Sequence, residues 1–393
     1  KIEVLENGAS WVYFYTEEKN KQTLLFQKEI FQKTPLPVKY NYPDSFPKTV
    51  KTSIYSKEET TKGKLFNAFW GEHYRKYYNT KVEAPTVLLD TLFGGLTPIR
   101  TGGGHQSRSI RLVDKDGKEY IMRALKKSAT QYFQEVAFKD QYVHNQFENT
   151  YTEELLLDIY TIAHPYATFA NATLSEAIGV YHTNPTLYYV PKQNSLKEYN
   201  NAYGNELYMI EERPSDGHDE VKSFGFANKI INTEDFLQKL KKTDDNLLDE
   251  SSYIRARLYD MAIGDWDRHE DQWRWAEFKD GKKTIYRPIP RDRDQAFSSA
   301  DGFALGALTR IIKDLSLMQV YKENMRSVKR FNMEPFPLDI TIISDAELGE
   351  WVKQANYIQK HLTDDIIDEA FKQLPLEVQD ETIEKIKTQF KGR

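Results

Sequence analysis

Apolar and polar positions alternate near the start of the chain. "WVYFYTEE" and "KQTLLFQKEIF" read as strands, and Pro35, Pro37, Pro43 and Pro47 then disfavour both helix and continuous sheet. Residues 1–60 are therefore expected to form an extended arm or connector. Bulky apolar residues at helical spacing in "KGKLFNAFWGEHYRKYYNT" (62–80) predict one helix that docks against the next unit. From residue 90 the texture changes. "SIRLV" and "YIMRAL" flank the turn "DKDGK", the signature of a hairpin. A helix is expected from about Ala129 to Gln141 and further helical structure over 153–178. "TLYYVPKQ" and "NELYMIEERP" then read as two more strands, with Glu212, Arg213 and Pro214 closing a small sheet.

After about residue 230 the pattern turns helical. Ile254, Leu258 and Met261, spaced by four and three, define one helical face. That helix runs into the charged stretch "IGDWDRHEDQWRW" (263–275), which leads through "WRWAEF", the turn "KDGKK" and "TIYRPIP" to "RDRDQAF". The tail, from "SDAELGEWVKQANYIQKHL" onward, is amphipathic helix. The pattern predicts an α+β fold: the arm at 1–60, a small β-rich lobe over 61–215 and a mostly helical lobe over 216–393, with no internal repeat.

Composition narrows the function. A net charge of −5 with both signs mixed argues against a general nucleic-acid binder, so an anionic ligand would need a local basic pocket. The absence of cysteine removes disulfides, thiolate metal sites and a cysteine nucleophile, and leaves the compartment open between cytosol and periplasm. No apolar run approaches the ~18 residues of a membrane span, and no signal segment opens the chain. The first residue, Lys1, suggests a processed or excised piece of a longer chain.

Candidate chemistry lies at the two ends of the second hairpin. A hairpin returns its ends to neighbouring positions, so Asp265, Asp267 and Asp271 are expected to face Asp292 and Asp294. Carboxylates gathered this way repel, and either one protonates or a hard cation neutralises them. Mg²⁺ or Mn²⁺ held by one or two carboxylates and by phosphate oxygens meets that need. The bland alternative is solvated loop charge paired with Arg268, Arg274, Arg291 and Arg293. His269 is expected to brace its loop, since "HEDQW" lacks the second His of a zinc-protease helix. Trp266, Trp273 and Trp275 belong to core and cleft wall. A second constellation is "RTGGGHQSRS", where Gly102, Gly103 and Gly104 can bring backbone N–H groups against an anion, although it is not a Walker loop. A third is the basic group Arg123, Lys126 and Lys127 in "YIMRALKK". One of these can hold phosphate oxygens with Glu135 orienting it, or all three can be solvated strand-end charges.

Two stretches carry a family resemblance. "GDWDRHEDQW" resembles the catalytic loop of the phosphatidylinositol 3- and 4-kinases, the secretory-pathway protein kinases, the spore-coat CotH kinases and the HipA-type kinases. "PRDRDQAF" resembles their metal-binding segment, in which an Asp stands five residues before a Phe, as Asp292 stands before Phe297. The three-Gly turn followed by "HQSRS" is similar to the "GGAQ" loop of HipA-type kinases. The resemblance implies a two-lobed protein-kinase-like fold that uses ATP with Mg or Mn. It makes Asp267 the catalytic Asp that orients the acceptor hydroxyl and Asp292 the metal ligand. Arg268, His269 and Asp294 become structural residues of the loops. Gly102, Gly103, Gly104, Gln106, Arg123, Lys126, Glu135 and Glu212 fall on the nucleotide side. The chain departs from the family twice. Gln272, with Asp271 beside it, occupies the second metal position where Asn is usual. Arg123 stands where Lys is usual, and Lys126 fits only if the strand runs further.

The partners implied are a nucleotide and a hydroxyl acceptor, whether protein, lipid, sugar or another small molecule, because acceptor choice lives in loops the families do not share. Two other readings stay open. A pseudokinase-like binding or scaffolding module is favoured by the two departures. A carboxylate-metal phosphohydrolase makes poor use of the Gly-rich turn.

Overall fold

The computed structural model describes residues 41–393 except 44, 103–105, 130–131, 134–146 and 148–149, and the backbone of three strands, Ile2–Val4, Ala9–Glu18 and Lys21–Phe31. By its internal contacts the chain divides into two compact units. Residues 1–54, 83–160 and 187–210 form the first, and 55–82, 161–186 and 211–393 form the second. Residues 61–82 and 161–186, expected in the β-rich lobe, thus group with the C-terminal half.

In the first unit the expected arm holds more regular structure than an extended connector. Ala9–Glu18 and Lys21–Phe31 pair antiparallel, with Ile2–Val4 on the outer side of Ala9–Glu18. The alternating pattern therefore gives a sheet as far as Phe31, ahead of the prolines. A second sheet has five strands in the order Thr97–Thr101, Ser107–Val113, Glu119–Lys127, Glu206–Glu212, Thr186–Val190. Its central hairpin turns where the sequence places Asp-Lys-Asp-Gly. Gly117 adopts φ 85°, and Oδ1 of Asp114 accepts the backbone N–H groups of Asp116 and Lys118 at 2.8 and 2.9 Å, so the turn satisfies its own donors. Ile110, Leu112, Met122, Ala124, Tyr208 and Ile210 point to one core and are buried. The helix expected from Ala129 to Gln141 falls mostly outside the described residues.

In the second unit the stretch 62–80 is two short helices, Lys64–Trp70 and Arg75–Asn79, and not one. Gly71 breaks it at φ 105°, where a Cβ would come within 2.5 Å of the Asp301 carbonyl oxygen. The freed N–H groups of Glu72 and His73 donate instead to the carboxylate of Asp301 at 2.9 and 3.0 Å. The stretch expected to be helical over 153–178 is likewise two helices, Tyr151–Tyr160 in the first unit and Thr168–Ala177 in the second.

A four-stranded sheet of the second unit runs Lys229–Asn232, Trp273–Asp280, Lys283–Pro290, Asn246–Leu248. Trp273 and Trp275 are fully buried on it. Trp275 stacks on Phe236 at 3.8 Å between ring centroids and lies near Tyr253, so both indoles are core. The helix Glu250–Ile263 starts at Asp249, whose side chain accepts the N–H of Ser252, and ends at Gly264 in the left-handed conformation. It buries Tyr253, Ile254, Ala256, Arg257, Tyr259, Asp260 and Ile263, a much wider face than Ile254, Leu258 and Met261 alone indicate. Helices Leu348–His361, Asp364–Phe371 and Glu381–Gly392 form its C-terminal end. Among the described residues no helix is long and apolar enough to cross a membrane.

Candidate active site

Three segments of the second unit meet around one buried carboxylate. Asp260, in the last turn of Glu250–Ile263, is fully buried. Its Oδ2 takes Nη1 of Arg257 at 3.2 Å and Nε of Arg268 at 3.3 Å, and its Oδ1 takes Nε of Arg293 at 3.1 Å. Arg257 also reaches Asp339 at 3.0 Å. Burial alone would depress the Arg257 guanidinium, but Asp339 and Asp260 outweigh it and hold it above its usual range. One carboxylate thus ties the helix to the segments 264–272 and 291–297. A buried charge survives only when paired in this manner.

Arg268 does the second part of the fastening. It is fully buried, stacks over Trp273 at 4.8 Å, and donates to the carbonyls of Arg291 and Gln272 at 2.5 and 3.0 Å. The N–H of Arg291 returns a bond to the same Gln272 carbonyl at 2.9 Å, and Trp273 pairs with Pro290 across the hairpin. The two ends of the hairpin are therefore clamped side by side. Phe297 closes the second segment at φ 58°, its N–H on the carbonyl of Ile263 at 2.7 Å and its ring among Tyr321, Phe371 and Phe390. Asp292 also has positive φ, 49°, a conformation that non-glycine residues adopt at some cost and that is enriched at functional sites.

Asp267 lies on the open side of this clamp, with 26% of its side chain exposed. Burial first, then Asp294, pushes its carboxyl up to about 6; His269 and Arg268 pull the other way and Asp292 adds to the rise. Asp267, Asp292 and Asp294 therefore feel one another, and the first remains poised to exchange a proton near neutrality. Asp265 is fully buried, and burial pushes it well above the usual carboxylate range against the pull of Arg268 at 3.5 Å, with Asp260, Asp267 and Asp294 adding to the rise. It lies inside the loop, sealed from water, with Oδ2 facing Arg268. His269 Nε2 lies 3.4 Å from Nε2 of Gln272 and 3.8 Å from Oδ1 of Asp267, the latter beyond hydrogen-bond range.

Among the described residues no group of three or more His, Cys, Asp or Glu side chains is gathered to cage a metal. Mg²⁺ does not need one, since it takes one or two protein oxygens and completes its shell with phosphate and water. Two oxygens suit that role. Asp292 keeps 14% of its side chain exposed. Oε1 of Gln272 is buried with no hydrogen-bond partner among the described residues, an acceptor that a cation would satisfy. The side chain of Asp271 is exposed, and its backbone carbonyl is what the neighbouring arginines use.

The nucleotide-side residues divide differently. Gly103, Gly104 and Glu135 lie outside the described residues. In the first unit Gly102 donates to the carbonyl of Ser109 at 2.8 Å, and a Cβ there would come within 2.0 Å of the Ser109 hydroxyl, which would have to rotate away. The carbonyl of Gln106 accepts from Ser128 at 2.7 Å. Arg123 pairs in register with Ser109 and is half-buried, as is Lys126 near the end of the same strand. Glu212, in the second unit, accepts the backbone N–H of Asn184 at 3.1 Å.

Sequence reasoning missed Asp260 and Arg257. The signal was present: two opposite charges three residues apart within "YIRARLYDMAI", whose other positions are mostly apolar. A cavity of about 630 Å³ in the same unit, lined by Leu258, Met261, Ile358, Ile367 and Phe390 among others, includes none of these aspartates.

The sequence matches no protein-family model and no curated protein. Structure comparison returns kinases. The Helicobacter pylori proinflammatory kinase CtkA aligns over 78% of this chain and 93% of its own at 12% identity and a TM-score of 0.39. HipA, in a Shewanella oneidensis toxin–antitoxin complex with HipB and operator DNA, aligns over 77% and 65% at 11% identity and a TM-score of 0.35. The Rio2 kinase of Chaetomium thermophilum, in an ADP/Mg²⁺-phosphoaspartate complex, aligns over 70% of each chain at 12% identity and a TM-score of 0.27. At TM-scores this low the likenesses decide nothing about the chemistry of the chain, which rests on its own residues.

Proposed function

We propose that the chain is a kinase-like phosphotransferase that moves the terminal phosphoryl group of ATP to a hydroxyl acceptor in the presence of Mg²⁺ or Mn²⁺. The observation that carries this reading is the clamp. Arg268 and Asp260 hold the 264–272 and 291–297 segments together, so that Asp267, with its raised pKa, shares one electrostatic environment with Asp292 and Asp294. Phosphoryl transfer asks mainly for positioning and charge neutralisation. Asp267 orients the acceptor hydroxyl and takes its proton; Asp292 and the side-chain oxygen of Gln272 hold the cation, which when bound neutralises the nucleotide phosphates. On the nucleotide side the reading assigns Gly102, Gly103, Gly104 and Gln106 to the phosphates, Arg123 or Lys126 to a phosphate oxygen, Glu135 to orienting that cation, and Glu212 to the nucleotide. His269 braces the loop.

Calorimetry with ATP tests the reading. Binding that requires Mg²⁺ or Mn²⁺ and is lost in Asp292→Ala is the expected result, together with transfer of label from ATP to the chain or an added acceptor. No nucleotide binding with either cation would end it. A binding module without catalysis is favoured by one feature, Gln272 at a position where Asn is usual. Metal-dependent ATP binding without any transfer by the unaltered chain would select that reading.

A further inference from the structure

The hairpin that carries the acidic ends also brings two arginines together beside Asp292. Nη1 of Arg274 donates to the backbone carbonyl oxygen of Asp271 at 3.2 Å, and Nη1 of Arg291 reaches the same oxygen at 3.5 Å. Arg274 also bonds the carbonyl of Trp273 at 2.7 Å, and Nη2 of Arg291 lies 3.7 Å from Oδ2 of Asp292, beyond hydrogen-bond range. Two guanidinium groups that share one carbonyl repel each other, and the protein does little to relieve them.

Each guanidinium offers five N–H donors in a planar fork. Among the described residues the hydrogen bonds of Arg274 use Nη1 alone, and Arg291 makes one side-chain bond at the long end of the range. Both side chains are half-buried, so water screens them less than it would on an open surface. Surplus positive charge with donors to spare, held on a rigid hairpin, calls for a ligand that is anionic, compact and rich in acceptor oxygens. A phosphate group meets all three requirements, because guanidinium forks grip two of its oxygens at once.

We propose that Arg274 and Arg291 form a receptor for a phosphate group beside Asp292. This rests on the phosphotransferase reading for its purpose. The phosphate belongs either to the nucleotide or to an acceptor that already carries one.

The test titrates inorganic pyrophosphate into the whole chain without metal, by calorimetry. The unaltered chain is compared with Arg274→Gln and Arg291→Gln, and then all three are titrated again when saturated with Mg²⁺ and a non-hydrolysable ATP analogue. Each Gln variant should weaken binding about tenfold or more. Arg274→Lys should fall between, since it keeps the charge and loses the fork; it carries the test if a Gln variant does not fold. Pyrophosphate that still binds beside the analogue assigns the receptor to an acceptor phosphate. Pyrophosphate displaced by the analogue, with analogue affinity reduced in Arg274→Gln, assigns it to the nucleotide. Binding that ignores both arginines, or no binding to the folded chain, overturns the receptor. If pyrophosphate binding needs the arginines but ATP never binds with metal, the phosphotransferase reading fails and the receptor stands. If metal-dependent ATP binding needs Asp292 while pyrophosphate ignores the arginines, only the receptor fails.

Discussion

Two groups of charges in the second unit, joined by one short loop, are handled in opposite ways. Around Asp260 a single carboxylate meets three guanidinium groups, every one within 3.3 Å and nearly or wholly out of water. Around Asp267 carboxylates crowd together, burial and Asp294 push Asp267 up to about 6, and Asp292 sits at a positive φ. In the first arrangement the protein supplies every charge with a close partner of its own, which makes it architecture. The second is left unbalanced, and unbalanced charge is what a cation, a phosphate or a proton transfer can use. A charge-rich sequence is thus informative about chemistry only after the pairs that belong to the framework have been subtracted. Asp265 shows how close the two outcomes lie: two residues from Asp267, it is sealed from water and faces Arg268, and burial pushes its carboxyl up.

The contrast breaks most visibly at Asp267. Asp267→Asn keeps the size and removes the base, and should reduce phosphotransfer by ~10²–10⁴-fold while ATP still binds with Mg²⁺. A transfer assay run beside calorimetry reads both, and a fall of only a few-fold would remove Asp267 from the chemistry. The opposite experiment is Asp260→Ala. It leaves three buried guanidinium groups without their shared partner and should cost about 3–5 kcal/mol, read as an earlier urea midpoint. Activity should fall with the folded fraction. If Asp260→Ala unfolds like the unaltered chain, the network is not what holds the two segments.

The sequence made one half of this comparison legible and hid the other. The hairpin could be read because its two runs and the turn Asp280, Gly281 obey short-range rules, and a hairpin by its geometry returns Gln272 to Arg291. Trp273 and Trp275 were legible as core because a strand buried on one face shows its aromatic residues at alternate positions. Asp260 was not legible. Its partners Arg268 and Arg293 lie 8 and 33 residues away, and only the folded chain shows that all three converge on a place without water. The single helix expected over 62–80 failed for a similar reason. Its apolar spacing is real, but Gly71 is set by a distant partner, Asp301, whose carboxylate takes the N–H groups that a continuous helix would have used.

A middle-sized effect sharpens the comparison through pH. The folded chain holds Asp267 above the ordinary carboxyl value, so its contribution to stability is fully present below about pH 4 and is lost as pH rises through about 6. Asp267→Asn cannot ionise. In metal-free buffer it should therefore be the more stable protein above pH 6, by on the order of 1–3 kcal/mol, and should lose that advantage toward pH 4. The same titration sets the acid limb of the transfer rate, which should rise through pH 6 in the unaltered chain. Thermal unfolding of both proteins across this range measures it. Equal stabilities at pH 8 would show that Asp267 is not held in an unfavourable place.

The smallest effects decide which oxygen accompanies Asp292. Gln272 is held by its backbone, since its carbonyl takes both Arg268 and Arg291, while its side-chain Oε1 is buried with no hydrogen-bond partner among the described residues. Gln272→Leu keeps the backbone bonds and removes an unsatisfied buried acceptor, so stability should stay level or rise slightly. Mg²⁺-dependent ATP binding should weaken by several-fold. Asp271 offers its carbonyl to Arg274 and Arg291 and leaves its carboxylate exposed, so Asp271→Asn should change stability by no more than about 0.5 kcal/mol and metal dependence hardly at all. Titrating Mg²⁺ against each variant at fixed ATP separates them. The reverse ranking, with Asp271→Asn weakening the metal and Gln272→Leu silent, would move the second ligand by one residue and place it among the exposed charges.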